Sequence, residues 1–276
     1  MVELSIIIVN YKSRGLVKTC LRGIEQSHLR CSYEVIVVDN NSNDGTMEML
    51  QERFPDVKGI QLNENRGLAS GNNVGMRAAQ GQFFLIINPD IAIFENMIEK
   101  MLDFMKKNPQ IALLAPKLTN PDGTVQESMY RFPGMMIPLY RRTPLGNLPW
   151  AKKALRHYIM RDTEKTHTQP VDWVLGACML VRRSAYEQIG EMDERYFLYF
   201  EDVDWCRRFW AAGYAVYYYP EAALVHYHRR LSAESPGLSG IFTAATRIHI
   251  HSGIRYFAKY FRQNTPSSHP IPGLTE

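Results

Sequence analysis

Phe83-Phe84-Leu85-Ile86-Ile87-Asn88-Pro89-Asp90 is the stretch from which the fold is read. An unbroken apolar run rich in Phe and Ile describes a strand covered on both faces, not one with a wet side. The run stops abruptly at Asn88-Pro89 and delivers a single carboxylate, Asp90. In open α/β sheets ligands sit beyond the carboxyl ends of the strands, so an acid there can hold a metal or touch a substrate. A second reading stands beside it: Asn-Pro-Asp as a turn followed by a helix cap.

Upstream, strand and helix patterns alternate. Leu4 to Val9 is a β-branched run ending in Asn10-Tyr11, and Arg14 to Gln26 has helical spacing at Leu16, Cys20, Leu21 and Ile24. Tyr33 to Val38 is a second buried strand, closed by the polar turn Asp39 to Thr46. A short helix (Met47 to Phe54), a third strand (Gly59 to Leu62) and a small-residue helix within Asn65 to Gln80 then lead into Phe83. This alternation predicts a doubly wound, Rossmann-like, mostly parallel α/β sheet with helices on both faces. A dinucleotide fingerprint would place G-x-G-x-x-G directly after the first strand. Asn10-Tyr11-Lys12-Ser13-Arg14-Gly15 stands there instead, which argues against NAD. Gly67, Gly71 and Gly75 recur every four residues, a spacing that lets one helix face lie close on the sheet. Packing does not account for Asn65, Asn72 and Asn73, which are poor helix formers and good hydrogen-bonding groups.

Three blocks together carry a family resemblance: Ser5 to Tyr11 (SIIIVNY), Val35 to Thr46 (VIVVDNNSNDGT) and Asn65 to Gly75 (NRGLASGNNVG). Their order and spacing are similar to those of family 2 glycosyltransferases with the GT-A fold, and the chain most resembles the bacterial rhamnosyltransferase-like members. The resemblance implies an inverting transfer from a nucleotide-diphospho-sugar, dTDP-rhamnose among the donors, to a saccharide or polyprenyl-diphosphate-linked acceptor of cell-surface polysaccharide. It implies that Asp39 bonds the pyrimidine base, that Val9 and Tyr11 line the base pocket, and that Gly67 and Asn73 lie near base and diphosphate. A carboxylate can accept from a pyrimidine N3–H; an Asx turn or cap is the competing reading of Asp39. The fold normally carries Asp-x-Asp at the end of the fourth strand to hold Mg²⁺ or Mn²⁺, and Asn88-Pro89-Asp90 keeps only the final acid. Asp90 is then the expected metal ligand, with Asn88 offering a neutral oxygen to ion or ribose. His226 occupies the place where such enzymes supply a further ligand, and Arg229-Arg230 can pair with phosphates.

The second half carries the acceptor site. Ile91 to Lys107 reads as a helix, Ile111 to Ala115 as a strand, and Pro121-Asp122-Gly123 as a hairpin turn. Prolines 133, 138, 144 and 149 forbid a long helix over Tyr130 to Trp150, and the apolar and basic mixture there reads either as a mobile loop over acceptor or lipid or as a plain disordered surface loop. In the block Val171 to Arg183, Gly176 lets a sugar approach the backbone. Trp173 either stacks on an acceptor ring or belongs to the core. Three acids within Glu201-Asp202-Val203-Asp204, after an aromatic run, are costly unless they act or pair. Asp204 sits four before Arg208 and can pair with it. Glu201-Asp202 resembles the family motif in which the Asp is the general base, with Glu201 orienting the acceptor or capping the helix. Tyr217 to Pro220 and Ala222 to Val225 read as a strand pair. Leu238 to Phe261 reads as a helix with an apolar stripe (Ile250, Ile254, Phe257, Phe261) and a basic one (Arg247, His251, Arg255, Lys259), suited either to an anionic membrane surface or to packing on the domain.

The expected organisation is a transferase domain over 1–235, divided into a nucleotide-sugar half (1–115) and an acceptor half (116–235). A C-terminal amphipathic helix (236–262) and a disordered tail (263–276) follow. The net charge of +4 in 276 residues is too small to argue for nucleic acid. The scattered Cys20, Cys31, Cys178 and Cys206 suit a reducing compartment better than a disulfide or zinc scaffold. The N-terminus lacks signal-peptide features and no apolar run approaches a membrane span, so a cytoplasmic protein, either soluble or peripheral on the inner membrane face, is expected. Two rival readings stand beside the transferase one: a degenerate, non-catalytic nucleotide-sugar binder, suggested by Asn88, and a nucleotidylyltransferase, whose Gly-rich basic loop after the first strand is absent.

Overall fold

The computed structural model describes residues 1–227, 243–266, 268–270 and 274. Its first half alternates as the periodicities require: β1 (Leu4–Asn10), α1 (Arg14–Gln26), β2 (Tyr33–Asp39), α2 (Thr46–Arg53), β3 (Lys58–Gln61), α3 (Leu68–Ala78) and β4 (Phe83–Ile87). These strands pair in parallel in the order β3-β2-β1-β4. Every residue of β1 and β4 is buried, so both faces of the sheet are covered there. α3 lies close over β1, because a Cβ on Gly71 would sit 2.7 Å from Val9 Cγ1 and one on Gly75 2.4 Å from Ile7 Cγ2.

The rest of the chain adds β5 (Ile91–Ala92), α4 (Met97–Lys107), β6 (Ile111–Thr119), β7 (Met129–Tyr130), α5 (Ile137–Arg142), a 3-10 turn (Pro144–Asn147) and α6 (Pro149–Tyr158). It continues with β8 (Gln169–Pro170), β9 (Trp173–Val174), β10 (Cys178–Arg182), α7 (Arg183–Ile189), α8 (Glu201–Ala211), β11 (Ala215–His226) and α9 (Ala244–Lys259). The sheet extends as β4-β10-β6-β11-β5, with β8 also on β11, while β7 and β9 form a separate pair. β10 runs antiparallel between β4 and β6, and β11 is parallel to β6. The carboxyl ends of β1, β2, β4 and β11 and the start of β10 therefore share one edge. β10 also knits the two halves expected at 1–115 and 116–235 into one sheet.

Several boundaries differ from the sequence reading. The helix expected from Ile91 begins at Met97, because Ile91 and Ala92 pair antiparallel with His226 and Val225. The expected loop over Tyr130 to Trp150 contains short helices that prolines start instead of break: Pro138 and Pro149 occupy first-turn positions, where a missing N–H costs nothing. The strand pair expected at 217–225 is one strand, β11, with a register shift between Tyr219 and Ala223. The C-terminal helix starts at Ala244, and the expected portion from Leu238 to Phe242 lies outside the described residues. In the tail expected to be disordered, Ser268 donates to Asp172 at 2.6 Å and the His269 ring lies 5.5 Å from that of Trp210. No helix among the described residues is long and apolar enough to cross a membrane, and the four cysteines are free thiols.

Candidate active site

Asn10, the last residue of β1, organises the first part of the edge. Its side-chain amide lies 2.7 Å from Asp39 Oδ1 and 2.9 Å from Ser42 Oγ. The Ser42 N–H donates to Asp39 Oδ2 at 3.0 Å. Asp39 is thus buried and holds its own Asx turn, with Asn10 fixing the carboxylate from the neighbouring strand. Tyr11, beyond it, is exposed beside Lys12. Val9 corrects the base-pocket expectation: its methyls are buried beneath Gly71 of α3.

The next segment is a clasp. Gly67 has φ +90°, and a Cβ there would lie 2.2 Å from the Phe197 carbonyl oxygen; the Leu68 N–H bonds that same oxygen at 2.8 Å. Asn40 holds this turn from β2 by donating to the Gly67 carbonyl and accepting from the Arg66 N–H. Asn73, expected beside the diphosphate, is fully buried with its amide spent on Met192: it donates to the carbonyl at 2.9 Å and accepts the N–H at 3.0 Å. Both groups thereby tie the donor half to the segment leading into α8. The physical reason for the correction is saturation: the amide's second N–H goes to Glu194 Oε1 at 3.1 Å, so both of its donors are committed within the protein.

At the end of β4, Asn88 is tethered by its N–H to the Ala177 carbonyl at 2.8 Å, and among the described residues its side chain makes no hydrogen bond. Asp90 Oδ1 is buried, accepts no hydrogen bond, and faces His226 Nε2 at 3.4 Å. His226 is oriented from behind, its Nδ1 lying 2.9 Å from Gln126 Oε1, while Gln126 Nε2 donates to the His226 carbonyl at 2.9 Å. Since Gln126 Nε2 is committed to a carbonyl, Oε1 is the atom turned to the ring. That assigns the proton to Nδ1 and leaves a neutral ring's Nε2 lone pair toward Asp90. Two lone-pair atoms facing each other, with an unbonded amide nearby, suit a hard divalent cation that keeps waters and takes diphosphate oxygens. Among the described residues no group of three or more His, Cys, Asp or Glu side chains is arranged to hold a metal, so Asp90 and His226 would be only part of such an ion's shell.

Asp202 and Glu201 open α8, where the helix N-terminus favours negative charge. Tyr199 and Phe200 before them have φ of +68° and +70°, an unusual pair of left-handed non-glycine residues that turns the chain sharply into the helix. Asp202 accepts from the Gly176 N–H at 3.0 Å and the Val203 N–H at 2.8 Å. Burial pushes its carboxyl up to about 6, against those two N–H groups, which pull it down. Burial, and then the Asp202 charge, holds Glu201 well above the usual carboxylate range; its Oε2 has no hydrogen-bond partner. Gly176 acts here through its N–H, next to Ala177, which bonds Asn88; base and metal candidates are thereby linked through a short run of backbone. Asp204 pairs with Arg208 at 2.9 Å, as its spacing predicts.

Trp173 is a third correction: of its two readings, the core one holds and the acceptor-stacking one does not. It is buried, stacked on Tyr130 with centroids 4.3 Å apart, and its Nε1–H donates to the Arg131 carbonyl at 2.8 Å. Both ring and N–H are used inside the β7–β9 layer, leaving no face for an acceptor sugar. Sequence reasoning missed Asn10 and Gln126. A polar residue closing a β-branched run was the signal for Asn10; Gln126 lies 100 positions from His226 and offered none. His228, Arg229 and Arg230 lie outside the described residues.

Residues 5–190 match the family model described as glycosyl transferase family 2, and the chain belongs to that family. It is similar, at 31% identity over 221 residues, to the N-acetylglucosaminyl-diphospho-decaprenol L-rhamnosyltransferase of Mycobacterium tuberculosis, covering 73% of this chain and 69% of the relative. It is also similar to the rhamnosyltransferase WbbL of Escherichia coli K12, at 25% identity across 92% of both chains. Among solved structures, GalNAc-T7 with UDP, GalNAc and Mn²⁺ superposes with a TM-score of 0.69 at 17% identity, over 94% of this chain and 48% of that one. The Pyrobaculum calidifontis mannosyltransferase PcManGT, in complex with GDP-Man and Mn²⁺, gives 0.59 over 83% and 58%. The chain thus spans less than two thirds of these structures, and the likeness carries the fold alone. The fold is GT-A, and the protein is a glycosyltransferase.

Proposed function

We propose that the protein is an inverting transferase that moves a sugar, rhamnose from dTDP-rhamnose being the favoured case, onto a saccharide or polyprenyl-diphosphate-linked acceptor in cell-surface polysaccharide synthesis. The observation that carries this reading is Asp202, a buried carboxylate tuned to near neutrality and held by the Gly176 N–H at the edge where Asp39, Asp90 and His226 converge. Asp202 takes the proton of the acceptor hydroxyl as its oxygen attacks the anomeric carbon. The new C–O bond forms opposite the breaking bond to the diphosphate, which leaves with the electron pair. Asp39 holds the base end of the donor, and Glu201 orients the acceptor as a neutral acid. Asp90 and His226, with Asn88 beside them, would hold Mg²⁺ or Mn²⁺; when bound, such an ion stabilises charge on the departing nucleoside diphosphate. The relatives' names support a lipid-linked acceptor and therefore work at a membrane surface, as expected of a cytoplasmic, peripheral protein.

Asp202→Asn keeps the shape of the site and removes the base. Transfer is expected to fall by about a thousandfold or more, with donor affinity within a few-fold of wild type by calorimetry. Undiminished transfer would remove Asp202 from the base role. Wild-type protein that binds donor yet neither transfers sugar nor releases nucleoside diphosphate would favour the non-catalytic binder.

A further inference from the structure

α9 packs on the domain through one face and leaves its most apolar face uncovered. The packed side consists of Thr246, Ser252, Gly253 and Tyr256, with Ser252 donating to the Leu198 carbonyl. The apolar stripe turns outward: Ile254 is 62% exposed and Phe261 63%, and Ile250 is exposed as well. Met135 (69% exposed) and Met136, on the segment entering α5, are likewise uncovered. A groove of about 400 Å³ lies between the two elements, lined by Met135, Pro138, Ile250, Ile254, Phe257 and Phe261. Scattered exposed hydrophobes need no explanation, but a continuous ridge drawn from two elements does.

Charge indicates what covers it. Neither Met129 to Arg161 nor Ala244 to Arg262 contains an Asp or Glu, and together they carry eleven Lys and Arg, whereas the whole chain is only +4. The remainder of the protein is therefore net acidic, and the positive charge is gathered in these two segments. Arg131, Arg156, Arg161 and Lys259 pair with acids from outside them. Arg247, Arg255 and Arg262, on or just after α9, and Arg141, in the last turn of α5, are exposed with no ion pair among the described residues, and the exposed His251 stands beside them. Apolar side chains rimmed by such cations match an anionic lipid surface.

We propose that the outer face of α9 and the segment entering α5 form a docking surface for an anionic bilayer, into whose headgroup region the Ile250–Ile254–Phe261 ridge enters. This rests on the reading of a lipid-linked acceptor. The inner face of the same helix meets the catalytic turn: the Phe200 ring, directly before Glu201-Asp202, lies 5.3 Å from that of Tyr256 and 5.4 Å from that of His249. Docking therefore brings the base within one helix of the bilayer, where a polyprenyl-anchored saccharide presents its hydroxyl.

The test is co-sedimentation of the full-length protein with phosphatidylcholine vesicles, with and without roughly one-third phosphatidylglycerol. Wild type is expected to bind the anionic vesicles and to release with salt. Ile250→Asp/Ile254→Asp is expected to lose about tenfold or more in vesicle affinity while keeping the wild-type Tm and wild-type transfer to a detergent-dispersed, short-chain acceptor. Absent wild-type binding to either vesicle, or a double variant that binds equally well, would overturn the proposal. So would a wild-type dimer in solution that the double variant dissociates, since a second copy would then cover the face. Vesicle binding without any transfer would leave the docking surface standing and count against the transferase reading instead.

Discussion

Glu201 and Asp202 stand side by side in a buried first turn, and burial pushes both carboxyls upward. They titrate as a coupled pair, in which the acid held higher keeps its proton while its neighbour ionises. On the proposed reading Glu201 is the one that keeps its proton, and Asp202 ionises to serve as the base. Activity should therefore rise with pH and level off above about 6, the value to which Asp202 is pushed. In Glu201→Gln that acid limb should stay in place, because an amide replaces a group that is already neutral; a shift of about one pH unit or more in kcat/KM would reassign the ionising residue. The same variant makes a stability prediction. A carboxyl whose folded pKa is raised binds its proton more tightly folded than unfolded, so the native state loses stability as pH climbs from the unfolded value toward the folded one. Glu201→Gln should thus be more stable than wild type at pH 7, with the gap closing as the pH falls into the ordinary carboxylate range in urea titrations.

At the scale of elements, β11 carries His226 to the edge where β4 delivers Asp90, and the connection ahead of β7 supplies Gln126 behind the ring. An outer hydrogen bond that fixes tautomer and ring angle is commonly worth ten- to a hundredfold in metal affinity. Gln126→Ala should accordingly raise the Mn²⁺ concentration for half-maximal transfer by about tenfold or more, with kcat recovered at saturating metal. Unchanged metal titration would leave Gln126 as a strand tether only. The elements themselves were largely legible in the sequence, since β1, β2 and β4 are continuous apolar runs, and a run buried on both faces has few alternative fates. The strand-end residues were legible as well, because polar groups directly after such runs have one place to go. Asn73 and Trp173 were not legible, because an amide that binds a ligand and one that binds backbone look identical until the partner, Met192 or Arg131 in these cases, is known. The prolines of Pro138 to Pro149 misled for a local reason: at a helix's first turn the residue that breaks helices becomes one that starts them.

Across the whole molecule, α9 is tied into the segment that carries the proposed base and is not an appendage. Asp204 is fully buried three residues into α8, and three groups from two helices hold it: Arg208 of α8 itself, Lys259 of α9 at 2.5 Å, and the hydroxyl of Tyr260, directly after α9, which donates at 2.8 Å. Lys259 also reaches Asp193 at 2.8 Å, so one ammonium ties the helix to both ends of the segment that carries the Tyr199–Phe200 turn. That second tie holds the Asp193 carboxyl well below its usual range, after the larger contribution of Arg195. Removing one partner of a buried ion pair costs more than the pair contributes, because a desolvated charge is left behind. Arg208 remains for Asp204, which moderates the loss, so Lys259→Met should cost about 2 kcal/mol and lower Tm by roughly 5 °C. The methylene stem survives in Met, so this loss isolates charge from packing. If the clasp also holds the catalytic turn, kcat should fall several-fold in the same variant while the donor KM stays unchanged. Loss of stability with full kcat would confine Lys259 to a structural role.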